Sequence, residues 1–182
     1  MSTKIKGSSI KARLEHLKSK YGEKTLDSVL DRLNDEDQKQ LRGIVIAISQ
    51  YPIELNARLD EAIAKELDPH DEISVYRELG KASAEANLNS IHKTFIQGND
   101  PHDVLRRYPS VRKQYYSDGT AEYQKTDEKR GELKLQDATF TLQDDESTAG
   151  YFERGIELMG GKNVEVRVVS TSNTCTYYFS WD

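Results

Sequence analysis

The sequence contains little of what cross-links, thiolate metal sites or membranes require. Cys175 is the only cysteine among 182 residues, which excludes an intrachain disulfide and a thiolate metal cage. No uninterrupted apolar run approaches the roughly 18 residues of a membrane span. The polar start, Met1–Lys6, is not followed by the apolar stretch of a signal peptide. We therefore expect a cytoplasmic protein with no membrane partner.

An excess of positive charge is also missing. Lysine and arginine number 26 against 31 aspartates and glutamates, so the net charge is −5. This balance argues against the broad basic surface of a nucleic-acid-binding protein. At roughly 150 residues per domain, the length predicts a single domain over residues 1–182.

Catalytic and phosphate-binding motifs are absent too. The sequence contains no His-Glu-x-x-His, no Cys-x-x-Cys, no Gly-x-Ser-x-Gly and no Gly-x-Gly-x-x-Gly. We therefore expect a protein that is not an enzyme, with no catalytic residues, no metal site and no cofactor.

Helical periodicity covers residues 1–112. Apolar residues recur at spacings of three and four in six segments, the first of which runs from Ile10 to Tyr21. The third segment extends to Ile48, and its run Gly43–Ile48 is apolar nearly all round, which predicts burial. The longest runs from Asp71 to Gln97, and small residues at its centre would let a neighbouring element approach closely.

The period changes to two after residue 113, which predicts a mainly β subdomain over residues 113–182. Four strands are predicted: Thr120–Thr126, Gly131–Ala138, Val164–Val168 and Cys175–Trp181. One helix near residues 147–160, capped by Ser147 or Thr148, interrupts them. Helices followed by about four antiparallel strands with one crossing helix is an α+β order.

Aromatic side chains are the candidates for a ligand pocket. Cys175, Tyr177, Phe179 and Trp181 share one face of the last strand, where such a stripe either packs the core or walls a pocket. The predicted pocket walls are Tyr51, Tyr115, Tyr116, Phe152 and Trp181, with Arg112 or Lys113 pairing with an anionic group on the ligand.

His102 is a candidate metal ligand. Asp100 can cap its helix and Pro101 suits the first helical position, which places His102 in the first turn. The positive helix end favours a neutral imidazole, the state that binds iron or zinc. The alternative is a histidine at a helix start that binds no metal.

Short motifs along nearly the whole chain carry a resemblance to a known family. They are Lys6–Ser9, Tyr21–Glu23, Gln50–Leu55, Tyr76–Ala82, Ala84–Leu88, Gly150, Glu157–Leu158, Gly160–Val164 and Cys175–Trp181. In this order they resemble an uncharacterised bacterial family, best known as a large paralogous set in myxobacteria. That family is similar in layout to the haem–nitric-oxide-binding domain and to the 4-vinyl reductase-type small-molecule-binding domain.

The resemblance implies a fold with helices before an antiparallel sheet and a pocket between them. In the haem domain a helix histidine binds the iron, and His102 falls at a comparable place. That domain's Tyr-x-Ser-x-Arg clamp for the haem propionates has no counterpart, since Tyr116–Gly119 lacks the arginine.

Three functional hypotheses follow from these observations. The leading one is a non-enzymatic sensing or regulatory module that binds an apolar or flat small molecule between helices and sheet and signals to a protein partner. The second is a haem gas sensor ligated by His102. The third is a protein-interaction scaffold that binds no ligand.

Overall fold

The computed structural model describes residues 3–89, 96 and 98–182. Its helices are α1 Gly7–Tyr21, α2 Glu23–Asp31, α3 Asp35–Arg42, α4 Ile53–Leu67, α5 Glu72–Leu88, α6 Pro101–Tyr115 and α7 Leu142–Leu158. Its strands are β1 Lys4–Lys6, β2 Gln50–Pro52, β3 Thr120–Asp127, β4 Arg130–Gln136, β5 Glu165–Ser170 and β6 Thr174–Ser180. The predicted α+β class is confirmed.

The strands form two antiparallel sheets. The larger sheet has the order β3-β4-β6-β5, and α7 connects β4 to β5. Residues of β4 and β6 alternate, so Leu133, Leu135, Tyr177 and Phe179 lie on the buried face. The small pair β1-β2 lies within the predicted helical half, where no strand was expected. Helix α6 continues to Tyr115, so the predicted division after residue 112 falls inside a helix.

Two apolar cores hold these layers together. The first lies among α1–α4 and includes Leu79 of α5. The second lies between the four-stranded sheet and the helices α6 and α7, with Ala84 and Leu88 from the end of α5. Helix α5 therefore contributes to both cores. None of the described helices is long and apolar enough to cross a bilayer.

Helices α5 and α7 touch through glycines. A Cβ atom on Gly80 would lie 1.8 Å from the carbonyl oxygen of Ser147, and one on Gly150 would lie 2.0 Å from that of Arg77. Ordinary contact begins at 3.4 Å, so only glycine permits this approach. The close approach predicted from the small residues of this segment is confirmed, and it joins the helical half to the layer over the sheet.

The third predicted helix is too long. Helix α3 ends at Arg42, and Ile44 and Ile48 are 91% and 82% exposed in the loop that follows. The expected burial of this apolar run is therefore wrong. The loop's backbone is bound in another way, because Ser8 N–H donates to the Ala47 carbonyl and Ile46 N–H donates to the Tyr51 hydroxyl.

Two helix ends also differ from the predictions. Helix α7 begins at Leu142, where Thr141 accepts a hydrogen bond from Asp144 N–H, and so Ser147 and Thr148 are not its cap. Helix α5 begins after Asp71, which caps it, and ends at Leu88. Its predicted continuation to Gln97 lies mostly outside the described residues.

Candidate functional site

A cavity of about 300 Å³ lies where the helical half meets the helices that cover the sheet. Its walls come from β1, α1 and the 43–49 loop on one side and from α6 and α7 on the other, with α5 behind. The residues that line the cavity include Lys6, Ser8, Ala12, Arg13, Ile48, Tyr108, Val111, Arg112, Tyr115, Tyr116, Asp144, Ser147 and Tyr151. The cavity is thus next to α6 and α7 rather than against the four-stranded sheet itself.

Arg112 is a charged group in the wall of this cavity. It is 3% exposed, and its guanidinium stacks on the ring of Tyr116, 4.2 Å from the centroid. The Tyr116 hydroxyl donates a 2.9 Å hydrogen bond to Asp144 Oδ1. Within the described residues, Arg112 Nε is buried and has no hydrogen-bond partner. Such a donor costs folding free energy unless something accepts from it.

Burial shapes the charge states of these groups. The pKa of Tyr116 lies well above its ordinary value because burial and the neighbouring Asp144 both disfavour the phenolate, so the hydroxyl remains a donor. The pKa of Asp144 is also raised, mainly by burial. Burial lowers the pKa of Arg112, but Tyr108, Tyr116 and Asp144 more than offset it, so the guanidinium stays charged.

A second buried arginine borders the cavity and is fully paired. Arg13 of α1 donates to both carboxylate oxygens of Asp60 on α4, at 2.9 and 3.1 Å, and to Ser147 Oγ on α7 at 2.8 Å. Asp60 is completely buried. The pair therefore ties three helices together and leaves no net charge of its own.

The mouth of the cavity is apolar on one side and basic on the other. Ile48 lines the cavity while remaining 82% exposed, so it lies at the opening. Tyr115 is half-buried, and Lys6 Nζ lies 5.7 Å from its ring centroid. The first turn of α1 also faces this cavity and contains no acidic residue.

Three of the predicted site residues meet at this cavity: Arg112, Tyr115 and Tyr116. Lys113 is exposed and does not line it, since one residue turns a helix by about 100°. Tyr51 is 9% exposed and packs against Gly7, with its hydroxyl bound to the 43–49 loop.

Phe152 and Trp181 are also placed away from the cavity, contrary to the prediction. Phe152 is 1% exposed and makes edge contacts with Tyr108, Tyr177 and Phe179 at centroid distances of 4.5–5.2 Å. Trp181 packs on the ring of His102, 4.7 Å away. Of the two alternatives for the aromatic face of the last strand, the structure shows the packed core.

Several lining residues were not predicted from the sequence. Ser147 and Thr148, the predicted helix cap, lie instead inside α7. Arg13 could have been found, because it shares the apolar face of α1 with Ile10 and Leu17, where an arginine needs a partner. Asp144 offers no such signal, since an acidic residue near a helix start is ordinary.

His102 does not fit the role of a haem ligand. It is 1% exposed, its Nε2 lies 2.7 Å from the Glu128 carbonyl oxygen, and its Nδ1 meets the Tyr123 hydroxyl. Because a carbonyl only accepts, Nε2 carries the hydrogen and Nδ1 of the neutral ring accepts from Tyr123. Both nitrogens are thus engaged, and His102 does not line the cavity.

A metal site is not formed elsewhere in the part of the chain that the structure describes. No three His, Cys, Asp or Glu side chains come together there in an arrangement that could hold an ion.

Several solved structures of H-NOX proteins have the same fold. An Fe(II) unliganded H-NOX protein from K. algicida matches with 13% identity and a TM-score of 0.75, over 98% of this chain and 97% of that chain. An H-NOX protein from Cs matches with 12% identity and a TM-score of 0.72, over 98% and 97%. A single-residue variant of Tt H-NOX matches with 12% identity and a TM-score of 0.71, over 98% and 95%. The likeness confirms the haem–nitric-oxide-binding-like fold implied by the sequence resemblance.

Sequence comparison leads to one family. A family model described as "Protein of unknown function (DUF2378)" matches residues 18–182. No curated protein matches the chain.

Proposed function

The chain belongs to the DUF2378 family of proteins of unknown function, and we propose that it is a non-enzymatic, cytoplasmic small-molecule-sensing or regulatory module. Its ligand is apolar or flat and occupies the cavity between α1 and the helices α6 and α7. The observation that carries this proposal is the cavity itself, which lies between the two halves of the chain and has the nearly buried Arg112 in its wall.

The size and position of the cavity support ligand binding. Small-molecule sites occupy about 300–1,000 Å³, with apolar walls and a few placed polar groups. This cavity lies at the lower end of that range and combines apolar walls with Arg112, Tyr116 and Asp144. A filled interior at this position would instead have favoured the scaffold hypothesis.

The chemistry of the lining supports binding rather than catalysis. The described lining residues include no histidine and no cysteine, and Ser147 Oγ is engaged by Arg13. Tyr116 and Asp144 form a hydroxyl–carboxylate contact in this wall, but burial raises the pKa of Tyr116, which keeps its hydroxyl a donor rather than a nucleophile. Haem is not part of the proposal, because His102 offers no free nitrogen.

Ligand binding can be transmitted to the surface through the 43–49 loop. Ile48 lines the cavity, and Ile44 and Ile46 of the same loop are 91% and 52% exposed. A ligand that contacts Ile48 would select one loop conformation over others. A signalling or regulatory protein partner would then recognise the exposed isoleucines in that conformation.

Native mass spectrometry of the protein purified from cells is the direct test. We expect an adduct of low mass, together with thermal stabilisation by at least one class of compound in a metabolite panel. The apo mass alone, combined with no stabilisation by any compound, would overturn the proposal.

A cavity-filling variant locates the binding site. Ala12 lines the cavity from α1, so Ala12→Phe fills part of the volume and is expected to abolish ligand-induced stabilisation. The matched control is Lys11→Phe, since Lys11 is exposed on the neighbouring position of the same helix. Equal ligand response in both variants would place the ligand elsewhere.

A further inference from the structure

The two buried arginines of the cavity differ in their partners. Arg13 is neutralised by Asp60 through three hydrogen bonds. Arg112 is not within ion-pair distance of any carboxylate among the described residues, although it is almost fully buried. A buried cation without an ion pair can be paired by an acceptor group on a ligand.

Asp144 is a buried carboxylate that lines the same cavity. The guanidinium of Arg112 contacts the ring face of Tyr116, while the hydroxyl of Tyr116 reaches Asp144. Tyr116 therefore connects the two groups without a direct ion pair. Arg112 lines the cavity, and Asp144 in the same wall disfavours a ligand group carrying two negative charges.

The remaining walls select an apolar body. Val111, Tyr115 and Tyr151 line the cavity beside Arg112, and Ile48 lies at its mouth. A water-sized group takes about 30 Å³, so a volume of about 300 Å³ holds about ten non-hydrogen atoms.

The residues at the mouth of the cavity add positive charge, the same sign as that of Arg112. The first turn of α1, which faces the cavity, contains no acidic residue, and its Gly7 and Ser8 N–H groups donate to the carbonyls of Ser49 and Ala47. Lys6 lies beside it. Lys6 at the mouth and Arg112 in the wall thus attract an anion, and Asp144 of the same wall opposes it.

From these observations, and resting on the proposed function, we propose that the ligand is a small monocarboxylic acid with an apolar body, whose carboxylate is bound by the guanidinium of Arg112. The carboxylate supplies one negative charge to Arg112, which makes no ion pair within the described residues, and the apolar body fills the space toward Ile48.

Binding of octanoate and its neutral analogue 1-octanol to the unmodified protein tests this assignment. Titration calorimetry is expected to show octanoate binding at least about tenfold more tightly, because the uncharged oxygen of the alcohol accepts a weaker hydrogen bond from a charged donor than a carboxylate does. Hydrophobicity alone would give the opposite order. Octyl phosphate, which approaches two negative charges at neutral pH, is expected to bind more weakly than octanoate.

Two neighbouring substitutions identify the recognition group. Arg112→Met is expected to weaken octanoate binding by at least about tenfold and to leave octanol binding within about twofold. Lys113→Met, at the next and exposed position, is expected to leave both unchanged. Arg112→Lys is the second variant should Arg112→Met fold poorly; it keeps the charge but lacks the planar Nε–H group, so it also weakens octanoate binding.

Each contrary outcome has one meaning. Equal binding of octanoate and octanol, or unchanged octanoate binding in Arg112→Met, overturns the carboxylate assignment while the proposed function stands. Tighter binding of octyl phosphate than of octanoate would indicate a phosphate ester as the ligand group. This result would also overturn the carboxylate assignment. An apo mass together with no binding of any probe overturns the proposed function as well.

Discussion

The contact between α5 and α7 leads to a sharp prediction for Gly150→Ala. The added Cβ would lie 2.0 Å from the Arg77 carbonyl oxygen and 2.7 Å from two further backbone atoms of that residue. Backbone cannot rotate away as a side chain can, so the helices must separate by more than about an ångström. This separation would disturb both cores, because α5 contributes to each.

The magnitude follows from two opposing effects. Replacing glycine by alanine inside a helix stabilises it by about 1 kcal/mol. Overpacking costs about 1–3 kcal/mol when side chains can adjust, and more when backbone must move. We therefore expect a net loss of at least about 3 kcal/mol in the free energy of unfolding, a large part of the roughly 5–15 kcal/mol typical of a protein.

Gly155→Ala is the matched control in the same helix. Its added Cβ would meet only side-chain atoms, the nearest being Val104 Cγ2 at 3.3 Å. We expect a change within about 1 kcal/mol. Urea unfolding monitored by circular dichroism measures both variants. Equal stability of Gly150→Ala and Gly155→Ala would refute the backbone contact between the two helices.

Three further predictions concern buried polar groups. Burial and the charge of Asp144 raise the pKa of Asp145 to about 7, so native Asp145 binds a proton that the unfolded chain releases near pH 4. The free energy of unfolding should therefore fall by about 4 kcal/mol between pH 4 and pH 7. Asp145→Asn should remove this fall in urea titrations. A stability difference from wild type that does not vary with pH would contradict it. Asp60→Ala should lower the free energy of unfolding by about 3–5 kcal/mol, because it leaves Arg13 buried and unpaired. Asp60→Leu combined with Arg13→Met should lower it less. A double variant that is less stable than the single one would argue against charge as the cause. Haem titration should give no Soret band that depends on His102, and a band lost in His102→Ala would show that the ring can leave its two partners.

The elements that the sequence predicted correctly are those whose ends are set by residues next to them in the chain. Helix α6 begins after its Asp100 cap with Pro101 in the first position, as expected from the sequence. The hairpin β3-β4 also follows its alternating pattern. The 43–49 loop shows where such signals fail, because an apolar run predicts burial only when another layer is available to cover it.

The residues of the candidate site also divide into those that a local sequence pattern predicts and those that it does not. Arg112, Tyr115 and Tyr116 lie within one short segment at the end of α6, so a sequence pattern could single them out together. Arg13 and Asp144, which line the same cavity, come from other helices, and no local pattern connects their positions with the end of α6. Phe152 was indistinguishable from a pocket wall, because core and pocket aromatics have the same periodicity.

Residue order along the chain was sufficient for the α+β class, the succession of helices before strands and the close helix approach at Gly80, since each depends on spacing within one segment. Tertiary packing decided that a cavity exists, that Arg112 enters it while Lys113 points to solvent, and that His102 is held by Tyr123 and Glu128. The physical reason is that burial and partner choice depend on which surfaces meet across long loops, and that information is spread over the whole chain.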